Sequence, residues 1–168
     1  MTISTVNPNV PAQNSPETSA PLRQNFAAAY NDINSIFALL GSGFTTTGAI
    51  LSNSPSGGIG YATGAGGTVT QVTSKATAVS LNNTTGTITL SNAALAGGAI
   101  VNFTLSNTSI AAADVLVLNH DSGGTIGAYG LNAATIANAA VIYVRNNTAG
   151  SLSEAIVIAF AVIKGATS

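Results

Sequence analysis

The second half of this chain is a series of short β-branched and apolar stretches separated by turn residues. In one such stretch Ile88 and Leu90 alternate with threonines, and in another Val101, Phe103 and Leu105 alternate with polar residues. Alternation of this kind gives a strand one dry and one wet face. The pattern predicts a mainly β fold, an antiparallel and jelly-roll-like β-sandwich over residues 68–168.

The predicted strands are bounded by Gly, Asn, Asp or Ser, which favour turns. They cover residues 68–74, 77–82, 86–91, 99–106, 113–119, 125–131, 139–146 and 154–164. The last one differs because both of its faces are apolar. It lies either between the core and another layer of the same chain, or with its small side chains against a neighbouring subunit. We favour the second interpretation, which places three residues at an oligomer interface: Val157, Ala159 and Ala161.

A helix is predicted over residues 21–41, with Ser19 as N-cap, Pro21 in the first turn and Gly41 at the end. Its apolar side chains follow alternating spacings of four and three, which is a heptad pattern. Such an apolar face is typical either of a helix that packs on its own domain or of a helix that joins subunits of an oligomer. The oligomer interpretation predicts an interface made of Leu22, Phe26, Ile33, Ile36 and Leu40.

Two further segments flank the helix. Residues 1–20 are rich in proline, which favours an extended path. They form either a disordered tail or an arm that becomes ordered along a partner. As an arm they would anchor through Ile3, Val6, Pro8, Val10 and Pro11. Residues 42–67, rich in Gly, Ser and Thr, are expected to be a linker with one short strand near residues 46–51.

The chain is poor in the residues that catalysis and ion binding use. Charged residues make up 5% of it, with 4 Lys and Arg, 5 Asp and Glu, one His and no Cys. A net charge of −1 argues against a nucleic-acid partner, which requires a basic surface. The N-terminus has no signal-peptide pattern and no apolar run is long enough to span a bilayer. We expect no cofactor, no metal and no membrane partner.

A catalytic site is also not expected. His120 and Asp121 are adjacent in a predicted turn, where a lone histidine is typically a hydrogen-bonded loop residue. No Gly-x-Ser-x-Gly motif supports a serine hydrolase, and nothing in the sequence pairs the carboxylates of Asp114, Asp121 and Glu154. Arg145, Glu154 and Lys164 are interpreted as structural charges.

Three segments of the chain are residues 60–71 (GYATGAGGTVTQ), 145–155 (RNNTAGSLSEA) and 160–165 (FAVIKG). They resemble a family of small virion structural proteins of tailed bacteriophages. Near the N-terminus, residues 6–12 (VNPNVPA), 14–16 (NSP), 20–26 (APLRQNF) and 32–34 (DIN) resemble the leading segment of phage structural and fibre proteins. The resemblance implies a virion component assembled in the bacterial host cytoplasm. It implies no catalytic residue and does not distinguish head from tail.

The sequence and the resemblance together predict a non-enzymatic capsid decoration (cement) or head-fibre protein. It would bind the shell as a homo-oligomer, a trimer in our interpretation, with the major capsid protein or tail components as partner. The alternative is a tail-fibre or adaptor protein whose β-domain binds host glycans through Tyr61, Tyr129 or Tyr143. A depolymerase is the remaining alternative, and it would need a carboxylate pair brought together across subunits.

Overall fold

The computed structural model describes residues 19–41 and 58–166, which belong to two compact units, Met1–Gly58 and Ile59–Ser168. In the first unit, helix α1 spans Ser19–Gly41, so the predicted helix is present and begins within the predicted arm. The rest of that arm, with its anchoring residues, lies outside the described residues, and so do residues 42–57 of the predicted linker, with the short strand expected near residues 46–51. No helix in the described ranges has the length and apolar character to cross a membrane.

The second unit is built from strands. Its described residues contain β1 (Gly66–Thr70), β2 (Val79–Ser80), β3 (Thr85–Thr89), β4 (Ile100–Ser106), β5 (Val115–Ser122), β6 (Tyr129–Ile136), β7 (Ala139–Asn146) and β8 (Val157–Ile163). The mainly β class with one preceding helix is therefore confirmed.

The strands form two four-stranded sheets. The first sheet has the order β1-β3-β8-β5 and the second the order β2-β4-β7-β6. The prediction of purely antiparallel strands is wrong, because β1 pairs with β3, and β2 with β4, in parallel. The chain passes through the other sheet between the members of each parallel pair, and such a crossover allows them to run in the same direction. Mixed pairing also departs from a jelly roll, which is made of antiparallel strands.

The β6–β7 pair is a hairpin closed by Ala137 and Asn138. Asn138 has a φ of 61°, a left-handed conformation that asparagine tolerates. The predicted sixth strand, 125–131, starts too early. Gly123, Gly124 and Gly127 all have positive φ and shape a loop there, so β6 begins only at Tyr129.

Buried side chains from both sheets belong to one hydrophobic cluster. Ile88, Ile158 and Val162 come from the first sheet, and Leu105 and Ile142 from the second; each of these five is fully buried. The alternation along β8 is confirmed, because Ile158, Phe160 and Val162 are buried while the residues between them are half-buried. The apolar period of two thus determines which face of each strand lines this core.

Candidate functional site

Helix α1 exposes a stripe of large apolar side chains. Phe26 is 73% exposed, Phe37 is 67% exposed, and Tyr30, Ile33 and Ile36 are about half exposed or more. Since these residues recur at helical spacings of three and four, they share one side of the helix. Of the predicted seam, Phe26, Ile33 and Ile36 are exposed; the side chains of Leu22 and Leu40 lie outside the described part of the chain.

The opposite side of α1 is polar. Gln24, Asn31 and Ser35 are exposed there, and the Ser35 hydroxyl donates a hydrogen bond of 2.8 Å to the Asn31 carbonyl. A helix with an exposed apolar stripe and a polar back is typical of one that packs against a partner.

The outer face of the first sheet is the second apolar surface. In β8 the predicted interface residues Val157, Ala159 and Ala161 are half-buried. Their cross-strand neighbours are threonines of β3 on one side, and Val117, Asn119 and Ser122 of β5 on the other. Of the two apolar faces of this strand, the outer one is therefore partly accessible to water within the single chain.

An apolar groove of about 550 Å³ adjoins this face. Its walls include Ile59, Tyr61, Val117, Ala161 and Ile163. The Tyr61 hydroxyl donates a hydrogen bond to the Val162 carbonyl, which fixes one wall of the groove. Ile59 and Ile163 are more than half exposed, so the groove and β8 form a continuous apolar surface.

Lys164 and Asp114 form an ion pair at the edge of the first sheet. The Lys164 Nζ lies 2.5 Å from Asp114 Oδ2, and the carboxylate also accepts hydrogen bonds from the backbone N–H groups of Ala111 and Gly165. The hydrogen bond from Ala111 is the largest cause, and the hydrogen bond from Lys164 the next largest, of a pKa for Asp114 that is lowered to about 2. These contacts fasten the end of β8 to the turn before β5.

Lys75 is a buried cation with a structural role. Its Nζ donates hydrogen bonds to the carbonyls of Ser91 (2.5 Å) and Glu154 (2.7 Å). Burial lowers the pKa of Lys75, and the Glu154 charge partly opposes that effect. The Gln71 amide completes the cluster by bonding to the backbone of Lys75, Thr77 and Ser91. The Lys75 amine is thus engaged with backbone oxygens and is not accessible to a ligand.

His120 and Asp121 belong to strand β5, so their predicted position in a turn is wrong. The strand continues past them through an irregularity between His120 and Ser122. His120 Nε2 bonds to the Gly123 carbonyl at 2.7 Å, and the ring meets Tyr129 edge-on at 5.9 Å. The Asp121 carboxylate accepts only the Ser122 hydroxyl, at 3.3 Å, among the described residues.

Glu154 holds the loop that follows β5. Its carboxylate accepts hydrogen bonds from the Thr125 hydroxyl (2.7 Å) and the Thr125 N–H (3.1 Å), and these bonds lower the pKa of Glu154. Burial, helped by the nearby Glu154 charge, raises the pKa of Tyr129 to about 12. The Tyr129 hydroxyl is buried without a well-formed hydrogen bond among the described residues. Tyr129 is therefore a core residue, and its predicted candidacy for glycan binding is wrong.

The outer face of the second sheet carries an open polar group of side chains, which we call the Tyr143 face. Cross-strand register places Asn102, Tyr143 and Asn132 in one row, and Ile100, Arg145 and Gly130 in the next. A shallow depression of about 310 Å³ lies there, lined by Ile100, Gly130, Leu131, Asn132, Tyr143 and Arg145. The sequence identified Tyr143 as an aromatic candidate; only the register shows what surrounds it.

No family model, no curated protein and no solved structure matches this chain.

Proposed function

We propose that this chain is a non-enzymatic structural protein of a tailed-bacteriophage virion, a capsid decoration or head-fibre protein that works as a homo-oligomer. The observation that carries this proposal is the exposed apolar stripe of α1. Five large apolar side chains exposed on one helix face form a patch of the kind that marks a contact with a partner, because covering it removes apolar surface from water. Heptad spacing makes a second and a third copy of the same helix the matching partners, and we propose a trimer.

We further propose that the two sheets pack face to face as a β-sandwich. The shared hydrophobic cluster supports this arrangement, because its members come from strands of both sheets. The outer face of β8, with Val157, Ala159 and Ala161, and the adjoining groove would then supply a second contact between subunits. A low charge suits a β unit with this role. Weak contacts repeated over a shell give a large total binding free energy, and a nearly neutral surface avoids strong ionic attraction to other surfaces.

The oligomer is tested by changing the stripe. Burial of one isoleucine is worth about 1.5–3 kcal/mol, so Ile33→Asp together with Ile36→Asp removes several kcal/mol per chain from the assembly. We expect the native mass of the full chain to fall from that of a trimer to that of a monomer. The matched control is Asn31→Asp, which adds a charge on the polar side of α1 and should leave the mass unchanged. A monomeric wild-type chain, or a double variant of unchanged mass, would refute the seam.

Attachment to the particle is tested separately. We propose that the N-terminal arm is the anchor, so deletion of residues 1–20 should abolish binding to particles while the β unit stays folded. Binding retained by the deleted chain would exclude the arm as anchor.

Tag-directed gold labelling of intact particles then separates the alternatives: label over the head supports decoration, and label confined to the tail supports a tail-fibre or adaptor protein. The Tyr143 face is the observation that keeps the second candidate, with its glycan-binding β-domain, under test.

A further inference from the structure

The basic side chains of the β unit differ in how they are engaged. Lys75 is buried against two carbonyls, and Lys164 is paired with Asp114. The Arg145 side chain is exposed and has no hydrogen bond or ion pair among the described residues. Its guanidinium therefore offers five free N–H donors, in a planar fork whose geometry matches a carboxylate. In a unit with so few charges, this cation is available for an anionic ligand.

The depression beside Arg145 has a mainly apolar floor. The cross-strand neighbours of Arg145 are Ile100 and Gly130, and all three line the depression, with the Asn147 amide beside the position that a Cβ on Gly130 would take. The neighbouring Tyr143 is 38% exposed, so part of its ring faces solvent on a rigid central strand. A partly exposed aromatic ring next to an apolar floor is suited to the C–H face of a sugar ring.

Amide groups stand on either side of Tyr143. Asn102 and Asn132 are exposed in the same cross-strand row, and their side chains have no hydrogen bond among the described residues. An amide both donates and accepts hydrogen bonds, as a sugar hydroxyl does. An extended peptide instead pairs with the open backbone of a sheet edge, and this face offers side chains rather than backbone. The volume, about 310 Å³, is at the small end of the range for ligand sites, which fits a single ring.

We propose that the Tyr143 face binds a carboxylate-bearing sugar ring, a uronic-acid-type unit of an acidic saccharide. Arg145 would pair with the carboxylate, the Tyr143 ring would stack on the sugar, and Asn102 and Asn132 would bond to its hydroxyls. The inference rests on this face alone and does not require the virion assignment. A chain that fails the oligomer test can still bind the sugar, and the reverse also holds.

The test is a titration of the full ¹⁵N-labelled chain with glucuronate, with glucose as neutral counterpart, followed by amide chemical shifts. A single ring on an open surface is expected to bind with a dissociation constant of about a millimolar. We expect shifts confined to β4, β6 and β7 around the Tyr143 face. Glucose should bind about tenfold more weakly, because it lacks the carboxylate.

Variants separate the contributions of the two central side chains. Arg145→Gln should weaken glucuronate about tenfold and bring it to the level of glucose, whereas Tyr143→Ala should weaken both sugars. Arg23→Gln makes the same charge change in α1 and should leave both titrations unchanged. Absence of shifts with glucuronate, or shifts unaffected by Arg145→Gln, would overturn the proposal. Acetate that binds as well as glucuronate would also overturn it, since the face would then be an adventitious anion site only.

Discussion

Asn146, the last residue of β7, is fully buried and organises the loops at its end of the second sheet. Its Nδ2 donates hydrogen bonds to the carbonyls of Leu95 (2.9 Å) and Gly150 (2.8 Å). Its Oδ1 accepts hydrogen bonds from the Thr148 N–H (2.9 Å) and the Thr148 hydroxyl (2.7 Å). One side chain therefore uses both of its donors and both lone pairs of its acceptor.

Asn146→Ala should lower the free energy of unfolding by about 2–3 kcal/mol. The partners do not lose equally: the Leu95 carbonyl keeps the Leu152 N–H, and the Gly150 carbonyl can accept the Thr148 hydroxyl (3.0 Å away), whose one hydrogen is released from the Asn146 amide. The Thr148 N–H is left without its partner, which costs about 1–3 kcal/mol, and the lost amide volume adds to this. For a unit of this size, each kcal/mol lowers Tm by about 4 °C, so we expect a fall of about 8–12 °C.

Asn146→Asp is the sharper variant because it keeps the shape and removes the donors. At neutral pH a carboxylate oxygen would face the carbonyls of Leu95 and Gly150, so we expect a larger loss than for Asn146→Ala, partly relieved as the pH falls. The control is Asn147→Ala, since Asn147 is exposed beside it. Thermal unfolding followed by circular dichroism measures all three variants. If Asn146→Ala unfolds within about 2 °C of Asn147→Ala, the reasoning is refuted, because the buried amide would then contribute no net stability.

Two further predictions concern the pH response and the packing of the β unit. The pKa of Asp114 in the folded protein, about 2, lies below its ordinary value of 3.8. The ionised carboxylate therefore makes its full contribution to the free energy of unfolding above about pH 4, and this contribution is lost as the pH falls towards 2. The Tm difference between wild type and Asp114→Asn should therefore shrink over that interval; a constant difference would exclude the ionised carboxylate as its source. Gly97→Ala places a Cβ 2.1 Å from the Ala149 carbonyl oxygen, whereas Gly150→Ala meets nothing within 4 Å. We expect a loss of about 1–3 kcal/mol for the first variant and little change for the second, measured by urea unfolding; equal stabilities would contradict the close approach.

Local patterns in the sequence predicted the single helices and strands and their buried faces, but they did not predict which strands pair with each other. The period of two along β8 correctly separated Ile158 and Phe160 from Ala159 and Ala161, because side chains of a strand alternate whatever the partner strand. The heptad spacing of α1 likewise identified Phe26, Ile33 and Ile36 as one face. Local alternation carries no information on which strands pair. The parallel β1–β3 and β2–β4 pairs, and with them the mixed sheets, were therefore missed.

The sequence by itself determined the class of this protein: a mainly β chain with few charges, preceded by an amphipathic helix. These properties follow from composition and from periods within single elements, which need no distant contact. Only the tertiary structure decided which charged and polar groups are engaged. It paired Lys164 with Asp114 across 50 residues and buried Lys75, while it left Arg145 open beside Tyr143. Such assignments depend on the register of strands far apart in the chain, and no local pattern encodes that register.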